Sequence, residues 1–322
     1  MRTMSTALNR ATDDLVALLE DGVRYDRSGV SARARACFVE VTERWRENPA
    51  AAAEAWWRLA NLQRLQSQWD DALQSAHTSA TLAREHALHD VEADALNIEA
   101  LVWSTRGDEA RAQVLFERML DIATAPGTRA KALQNLGGLV AERREFEAAE
   151  KFFSASRAEY RVANDARGEA CSLLNIGRLQ MERGDPALAR ETLEMAVRDS
   201  RVAGDLEMHA AALLNLGMAL GELGLIAEAE ERITTAYGQF TIADIAQQRV
   251  RCLIQLATFA IRRGEAPAAQ VCLDHARKVA TRSELPRELR LIEEQAEAVR
   301  ALEASARRPS DGLGLSRGGD RT

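Results

Sequence analysis

Two pairs of side chains in this sequence have types and spacings that can support chemistry. His86 and His89 are three residues apart, so both rings can lie on one side of a helix and ligate a metal ion. Cys272 and His275 have the same spacing and could pair a thiolate with a base. Neither pair has a third group at a convincing spacing, and Cys272 adjoins the apolar repeat position Leu273. We therefore expect solvated histidines, a packed cysteine, no metal or other cofactor, and no enzymatic activity.

Carboxamide side chains recur at a fixed interval in the second half of the chain. Asn135, Asn175, Asn215 and Gln255 follow one another at intervals of 40 residues. Asn and Gln offer both a hydrogen-bond donor and an acceptor, so a row of them can hold the N–H and C=O groups of a peptide backbone. The same row can instead link neighbouring structural units through side chain-to-backbone hydrogen bonds. The sequence leaves both roles open.

The charge and the apolar content of the chain argue against several classes of function. The 322 residues carry a net charge of −7, which is unfavourable for binding phosphate backbones or anionic lipid. No stretch is apolar enough to span a bilayer, and residues 1–20 lack the apolar core of a signal peptide. The four cysteines have no CxxC spacing, which predicts buried thiols in a reducing compartment. These features predict a cytoplasmic protein that binds neither nucleic acid nor membrane.

The carboxamides belong to a longer repeated pattern. Three segments share it, with a looser fourth copy, and they read Leu133-Gln-Asn-Leu-Gly137, Leu173-Leu-Asn-Ile-Gly177, Leu213-Leu-Asn-Leu-Gly217 and Leu253-Ile-Gln-Leu-Ala257. Each continues with matched positions, which in the second copy are Gly184, Ala189, Leu193 and Ala196. Looser copies precede them, giving about seven in all. Repetition at a fixed interval is typical of a solenoid in which neighbouring units complete each other's core.

Each copy predicts two α-helices joined by a short turn. The apolar spacing from Leu173 to Gly177 marks the buried stripe of a first helix. Gly184 stands where that helix should end in a left-handed conformation. Asp185 followed by Pro186 then predicts the start of a second helix. The recurring glycine and alanine positions are small because the two helices must approach closely there.

The pattern resembles the tetratricopeptide repeat, whose motif places a large apolar residue before Leu-Gly and has Ala, Phe and Ala later. The resemblance covers roughly residues 12–285. The sequence departs from the motif in two ways. Its period is mostly 40 residues, and the position where the motif often has a closing proline is occupied by Arg161, Arg201 and Thr241. The longer hairpin is similar to the kinesin-light-chain type and to the Leu-Gly-Asn polarity adaptors, both of which bind peptides. The resemblance implies an all-α, right-handed superhelical solenoid of about seven helix-turn-helix repeats with a concave binding groove.

The copies and the flanking composition predict three regions. A repeat array occupies residues 1–285, with looser copies at 12–127 and regular copies at 128–285. A C-terminal capping helix begins at Pro286 and covers 286–308. The Gly- and Ser-containing residues 309–322 predict a disordered tail.

The polar side of the first helices supplies the candidate binding surface, since the corresponding side lines the groove in the families that the chain resembles. The candidate groove residues are Asn135, Asn175, Asn215, Gln255, Arg178, Met218, Glu142, Glu182, Glu222, Arg251 and Arg262. The glutamates predict a partner with Lys or Arg along one edge. They fit an ordinary solvated helix surface at least as well.

All five tryptophans fall in the first third of the chain. Trp56 and Trp69 match core positions of the looser copies. Trp45 and Trp57 fit less cleanly, so each is either a contact for a partner or a residue packed against the neighbouring copy.

These features predict a protein–protein interaction scaffold or adaptor that holds a peptide or helix of a partner in the groove. The alternatives are a peptide-responsive regulatory sensor and a structural subunit that stacks on itself or in a larger assembly. The sequence does not indicate which protein is bound.

Overall fold

A computed structural model of the chain describes the backbone from Arg2 to Ala306 and the side chains of residues 13–304. The predicted tail at 309–322 lies outside the described residues. The described backbone forms fifteen α-helices and no strand. None of these helices combines the length and the apolar composition that crossing a bilayer requires. The helices are α1 (Arg2–Arg27), α2 (Ser31–Glu43), α3 (Pro49–Leu65), α4 (Trp69–Glu85), α5 (His89–Thr105), α6 (Glu109–Ile122), α7 (Pro126–Glu142), α8 (Phe146–Val162), α9 (Ala166–Glu182), α10 (Pro186–Ala203), α11 (Leu206–Glu222), α12 (Ile226–Ile242), α13 (Ala246–Arg262), α14 (Ala266–Arg282) and α15 (Pro286–Ala306).

The helices divide between two compact units, Met1–Leu179 and Gln180–Thr322. Within the first unit, α1 packs with α2, α3 with α4, α5 with α6, and α7 with α8. Within the second unit, α11 packs with α12 and α13 with α14. The boundary between the units falls inside α9. Each unit is therefore built from the helical hairpins that the repeat pattern predicts.

Small residues bring the two helices of a hairpin together. A β-carbon on Gly137 of α7 would lie 2.7 Å from the ring of Phe153 in α8. A β-carbon on Gly217 of α11 would lie 2.4 Å from the side chain of Ile233 in α12. Phe153 and Ile233 are both buried, so neither can move aside into solvent. The close approach predicted at the repeated glycine is confirmed at these two positions.

A left-handed residue ends the first helix of a hairpin and reverses the chain. Gly184 has a φ of 80°, and the side chain of Asp185 accepts a hydrogen bond from the backbone N–H of Leu188. Pro186 lies in the first turn of α10. These features confirm the predicted turn. Arg144 occupies the equivalent place before α8 with a φ of 61°, a conformation that costs a residue with a β-carbon about 1–2 kcal/mol.

α15 packs on α13 and α14 and differs from the other first helices on its remaining face. Ile292 is buried in the apolar core that α15 shares with α13 and α14. Glu293 stands at the repeat position of Leu253, and Glu297 stands at that of Ala257. Both glutamates are exposed. α15 therefore presents a charged surface where a further second helix would otherwise pack.

A carboxylate near the start of α5 holds the turn between α6 and α7. Asp90 accepts hydrogen bonds from the backbone N–H groups of Thr124 and Ala125, both at 2.9 Å, and from the Thr124 hydroxyl at 2.5 Å. Burial alone would raise the pKa of Asp90, but these hydrogen bonds outweigh it and hold the pKa below its usual value. Asp90 thereby joins the third hairpin to the fourth.

Asp90→Ala is expected to lower the free energy of unfolding by about 1–3 kcal/mol, because two backbone N–H groups lose their acceptor. Since the folded pKa of Asp90 is below its unfolded value, its stabilisation is present above roughly pH 4 and is lost as the pH falls through the folded pKa. Urea unfolding near neutral pH and at about pH 3 measures both effects.

Asp121→Ala is the control for this prediction, because it removes an exposed carboxylate of α6 and is expected to change the free energy of unfolding by less than about 0.5 kcal/mol. If Asp90→Ala lowered the free energy of unfolding as much at acid pH as near neutral pH, the charge of Asp90 would not be what stabilises the turn.

Candidate functional site

The first helices of successive hairpins form the inner layer of each unit. In the first unit, α3 touches both α1 and α5, and α5 touches α7. In the second unit, α13 touches both α11 and α15. Among the described residues of either unit, no second helix touches the second helix of the next hairpin. Because the first helices lie closer together, the surface that they share is the concave side within each unit.

A cleft of about 240 Å³ opens on the concave side of the first unit, between α5, α7 and α9. Four of the predicted groove residues lie together there, Asn135, Glu142, Asn175 and Arg178. The other residues lining this inner cleft are Leu101, Ser104, Phe116, Gln134, Gly138, Leu139 and Phe153. Apolar and polar side chains therefore both line the inner cleft.

Hydrogen bonds in the inner cleft leave one acceptor unused. Asn135 Nδ2 donates to Asn97 Oδ1 at 2.6 Å, which links α7 to α5. Gln134 Nε2 donates to Cys171 Sγ at 3.4 Å. Gln134 Oε1 is buried and has no hydrogen-bond partner in the part of the chain that the structure describes. An unpaired buried acceptor costs about 1–3 kcal/mol, so a donor that reached Gln134 Oε1 would be bound favourably.

The thiol at the edge of this site is unreactive. Cys171 is partly buried, and burial raises its pKa despite the hydrogen bond from Gln134. A thiol with a raised pKa is protonated near neutral pH and is a poor nucleophile.

The predicted carboxamides of the second unit have different surroundings. Asn215 Nδ2 donates to the backbone C=O of Ala211 at 3.0 Å, one turn earlier in α11. Gln255 of α13 and Met218 of α11 are partly buried in the inner layer. Asn215 therefore bonds to its own helix, whereas Asn135 links two hairpins through a bond between side chains and not through the side chain-to-backbone bond that the sequence suggested.

The charged residues predicted for the groove include an ion pair between hairpins of the second unit. Arg262 of α13 donates to Glu222 of α11 at 2.7 Å and to the backbone C=O of Gly221 at 3.3 Å. Arg251 and Glu182 are exposed. The pairing of Glu222 offsets the negative charge that was expected to face a basic partner. As an exposed pair it contributes about 0–1 kcal/mol to stability.

The concave side of the first unit continues towards the N terminus through residues that the sequence did not assign to it. Trp57 of α3 stands at the repeat position of Gln134, and the Arg58 guanidinium lies 4.5 Å from its ring centre. Arg58 also lines a cleft of about 500 Å³ between α1 and α3. The looser copies have unequal lengths, which conceals this register in the sequence.

The two pairs with catalytic or metal-binding spacing are not assembled into sites. His86 follows α4 and His89 opens α5, and both are exposed. His275 Nε2 lies 3.2 Å from the Tyr237 hydroxyl oxygen, and burial raises the pKa of the Cys272 thiol. Within the described residues, no group of three His, Cys, Asp or Glu side chains is placed to hold a metal ion.

One segment of the chain matches a protein-family model. Residues 172–200, which include the second half of α9 and most of α10, match the model for the tetratricopeptide repeat. The same segment contains the hairpin turn at Gly184 and the small core residue Ala189. This segment is therefore similar to one tetratricopeptide repeat. No curated protein matches it significantly.

Solved structures of low sequence identity share the helical-repeat fold of this chain. A Rap protein complexed with Competence and Sporulation Factor has a TM-score of 0.63 and 15% identity, over 92% of this chain and 89% of that one. Aspartyl phosphate phosphatase F from Bacillus subtilis has a TM-score of 0.63 and 15% identity, over 86% and 73%. A tetratricopeptide repeat protein from Parabacteroides merdae has a TM-score of 0.55 and 15% identity, over 89% and 99%. These likenesses show the fold alone, and they confirm the predicted all-α solenoid of helical hairpins.

Proposed function

We propose that this tetratricopeptide repeat protein is an interaction scaffold that binds a segment of another protein on the concave side of its first helices. The observation that carries the proposal is the inner cleft of the first unit. Leu101 and Leu139 line this cleft together with the carboxamides of Gln134 and Asn175. A cleft lined by both apolar side chains and convergent polar groups can bury a side chain of a partner and fix its backbone.

The binding mode combines one unpaired acceptor with the charges at the edge of the cleft. A rotation of the Gln134 side chain would let its Oε1, which lacks a donor within the described chain, accept a hydrogen bond from a partner backbone N–H. A side chain of the partner then enters over Leu101 and Leu139. Glu142 and Arg178 lie at the polar edge, where a negative and a positive group favour a partner with charges in the complementary order.

The architecture supports the same conclusion. A tandem array buries only the faces between neighbouring hairpins and leaves a continuous surface for a partner. The Rap protein of similar fold was solved in complex with Competence and Sporulation Factor. We extend to this chain only the inference that such a fold holds a ligand, and no catalytic step forms part of the proposal.

A peptide-responsive sensor is the second candidate, and the same complex favours it. A sensor differs from a scaffold because its ligand must change the arrangement of the repeats. Small-angle scattering with and without the bound segment separates the two. An unchanged scattering profile at saturation supports the scaffold.

The combination of Asn135→Ala, Asn175→Ala and Asn215→Ala is expected to weaken partner capture at least about tenfold, because each lost amide contributes about 0.5–1.5 kcal/mol. Quantitative affinity purification with mass spectrometry, wild type against variant, identifies the partner and measures the loss. Asn135→Ala also removes the bond to Asn97, so thermal melting must show that the variant is folded.

Exposed carboxamides outside the groove provide the matched control. Gln66 follows α3 and Gln74 lies on α4, and both are exposed. Changing these two to alanine should leave capture intact. If a folded triple asparagine variant retains the partner as well as this control does, the carboxamides link hairpins and do not bind the ligand.

A further inference from the structure

A third cleft in the first unit is lined by tryptophan and is not used by the proposed scaffold function. It measures about 430 Å³ and lies between Trp45, which follows α2, Trp56 of α3, and residues of α4 that include His77 and Glu85. We call it the tryptophan cleft. Most of its lining belongs to a second helix, whereas the inner cleft is formed mainly by first helices. Trp45 is 39% exposed, so a large apolar ring is left open to solvent.

The carboxylates near the tryptophan cleft lack full partners. Glu85 is exposed in the last turn of α4 and makes no ion pair with any described residue. Glu99 of α5 is only 14% exposed and lies 3.8 Å from Nδ1 of His77, which is beyond hydrogen-bonding distance. Glu99 Oε1 is buried and has no hydrogen-bond partner within the described chain. Of these two carboxylates, only Glu85 lines the cleft.

The two indole rings differ in what already covers them. The Arg46 guanidinium lies 4.7 Å from the ring centre of Trp45, so a cation already lies over part of this ring. No described cationic side chain lies over Trp56, and neither Lys nor Arg lines the cleft. An aromatic face without a cation, next to an unpaired carboxylate, is complementary to a positively charged group.

We propose that the tryptophan cleft binds a lysine or arginine side chain from a segment of a partner protein. The cation lies against Trp56 and the open part of Trp45, with its charge directed to Glu85. A neutral side chain of equal size would fill the cleft but leave both the ring faces and the carboxylate without their favoured partner. This site is independent of the inner cleft, so either can fail without the other.

Two capped tripeptides test the proposal, N-acetyl-Gly-Arg-Gly-amide and the same peptide with citrulline, which keeps the shape of arginine without its charge. The readout is the indole N–H signals of the full-length protein in NMR spectra, assigned with Trp45→Phe and Trp56→Phe. The arginine peptide is expected to shift both signals with saturation. The citrulline peptide is expected to bind at least about threefold more weakly, the range of an exposed cation–π contact.

Two carboxylate variants complete the test. Glu85→Gln should weaken the arginine peptide by about threefold and leave the citrulline peptide unchanged, whereas Glu191→Gln, at an exposed site on α10, should affect neither. Equal binding of the two peptides would overturn the proposal, as would shifts at Trp57 and Trp103 as large as those in the cleft. Tighter binding of free arginine than of the tripeptide would also overturn it, because the ligand would then be an amino acid.

Discussion

Gly138→Trp is expected to abolish capture of the partner protein, with a loss of at least about a hundredfold in affinity, while the fold remains intact. Gly138 lies on α7 and lines the inner cleft, and a β-carbon placed on it would meet no atom within 4 Å. An indole at this position therefore occupies the space that the partner's side chain needs. Because glycine is unfavourable inside a helix, the change should keep or raise stability, by up to about 1 kcal/mol.

Gly238→Trp is the matched control for this prediction. Gly238 lies inside α12, is exposed, and likewise has open space around the position of a β-carbon. It belongs to a second helix, so the same substitution should leave capture within about twofold of the wild type. Equilibrium binding to the purified partner measures both variants, and thermal melting verifies their folding. Equal effects of the two substitutions would show that the inner cleft is not the contact surface.

Gly217→Ala is expected to lower the free energy of unfolding by about 1–3 kcal/mol, although alanine is the better helix former. The added β-carbon would lie 2.4 Å from Ile233 and 3.1 Å from the backbone oxygen of Ala229. Ile233 is fully buried and the oxygen belongs to the backbone of α12, so α11 and α12 must move apart. The midpoint of urea unfolding and the melting temperature measure the loss.

Gly238→Ala supplies the opposite expectation within the same unit. With no atom near the new β-carbon, only the gain in helix propensity remains, and the free energy of unfolding should rise by about 0.5–1 kcal/mol. A Gly217→Ala protein as stable as Gly238→Ala would mean that the close approach of α11 and α12 is not needed for folding.

Local rules of helix formation explain what could be predicted from the sequence. The helical hairpins followed from the apolar periodicity, and the turn at Gly184 and Asp185 followed from glycine and N-cap preferences. Asn135 and Asn175 line one cleft because a constant interval places equivalent side chains on the same side of successive first helices. Regular spacing thus carries information about neighbouring hairpins as well as about each helix.

Features that depend on packing between unequal copies could not be predicted. Asn97 bonds to Asn135, but the two residues do not occupy equivalent repeat positions. The copy that contains Asn97 is shorter than the regular copies, so the constant interval of the regular copies does not reveal this pair. A shift of one residue turns a side chain to a different side of the helix, so Trp57 was not placed on the concave side either. The unpaired Gln134 Oε1 depends on which donors surround it, and those come from other helices.

Site-specific photo-cross-linking in cells tests most directly the claim that the concave side of the first helices is the binding surface. A benzophenone amino acid replaces Glu142, which is exposed at the edge of the inner cleft, and in a separate protein it replaces Thr234, which is exposed on α12. The expected result is a cross-link to a defined partner protein from position 142 and none from position 234. Cross-linking of that partner from position 234, with none from position 142, would contradict the proposed binding surface.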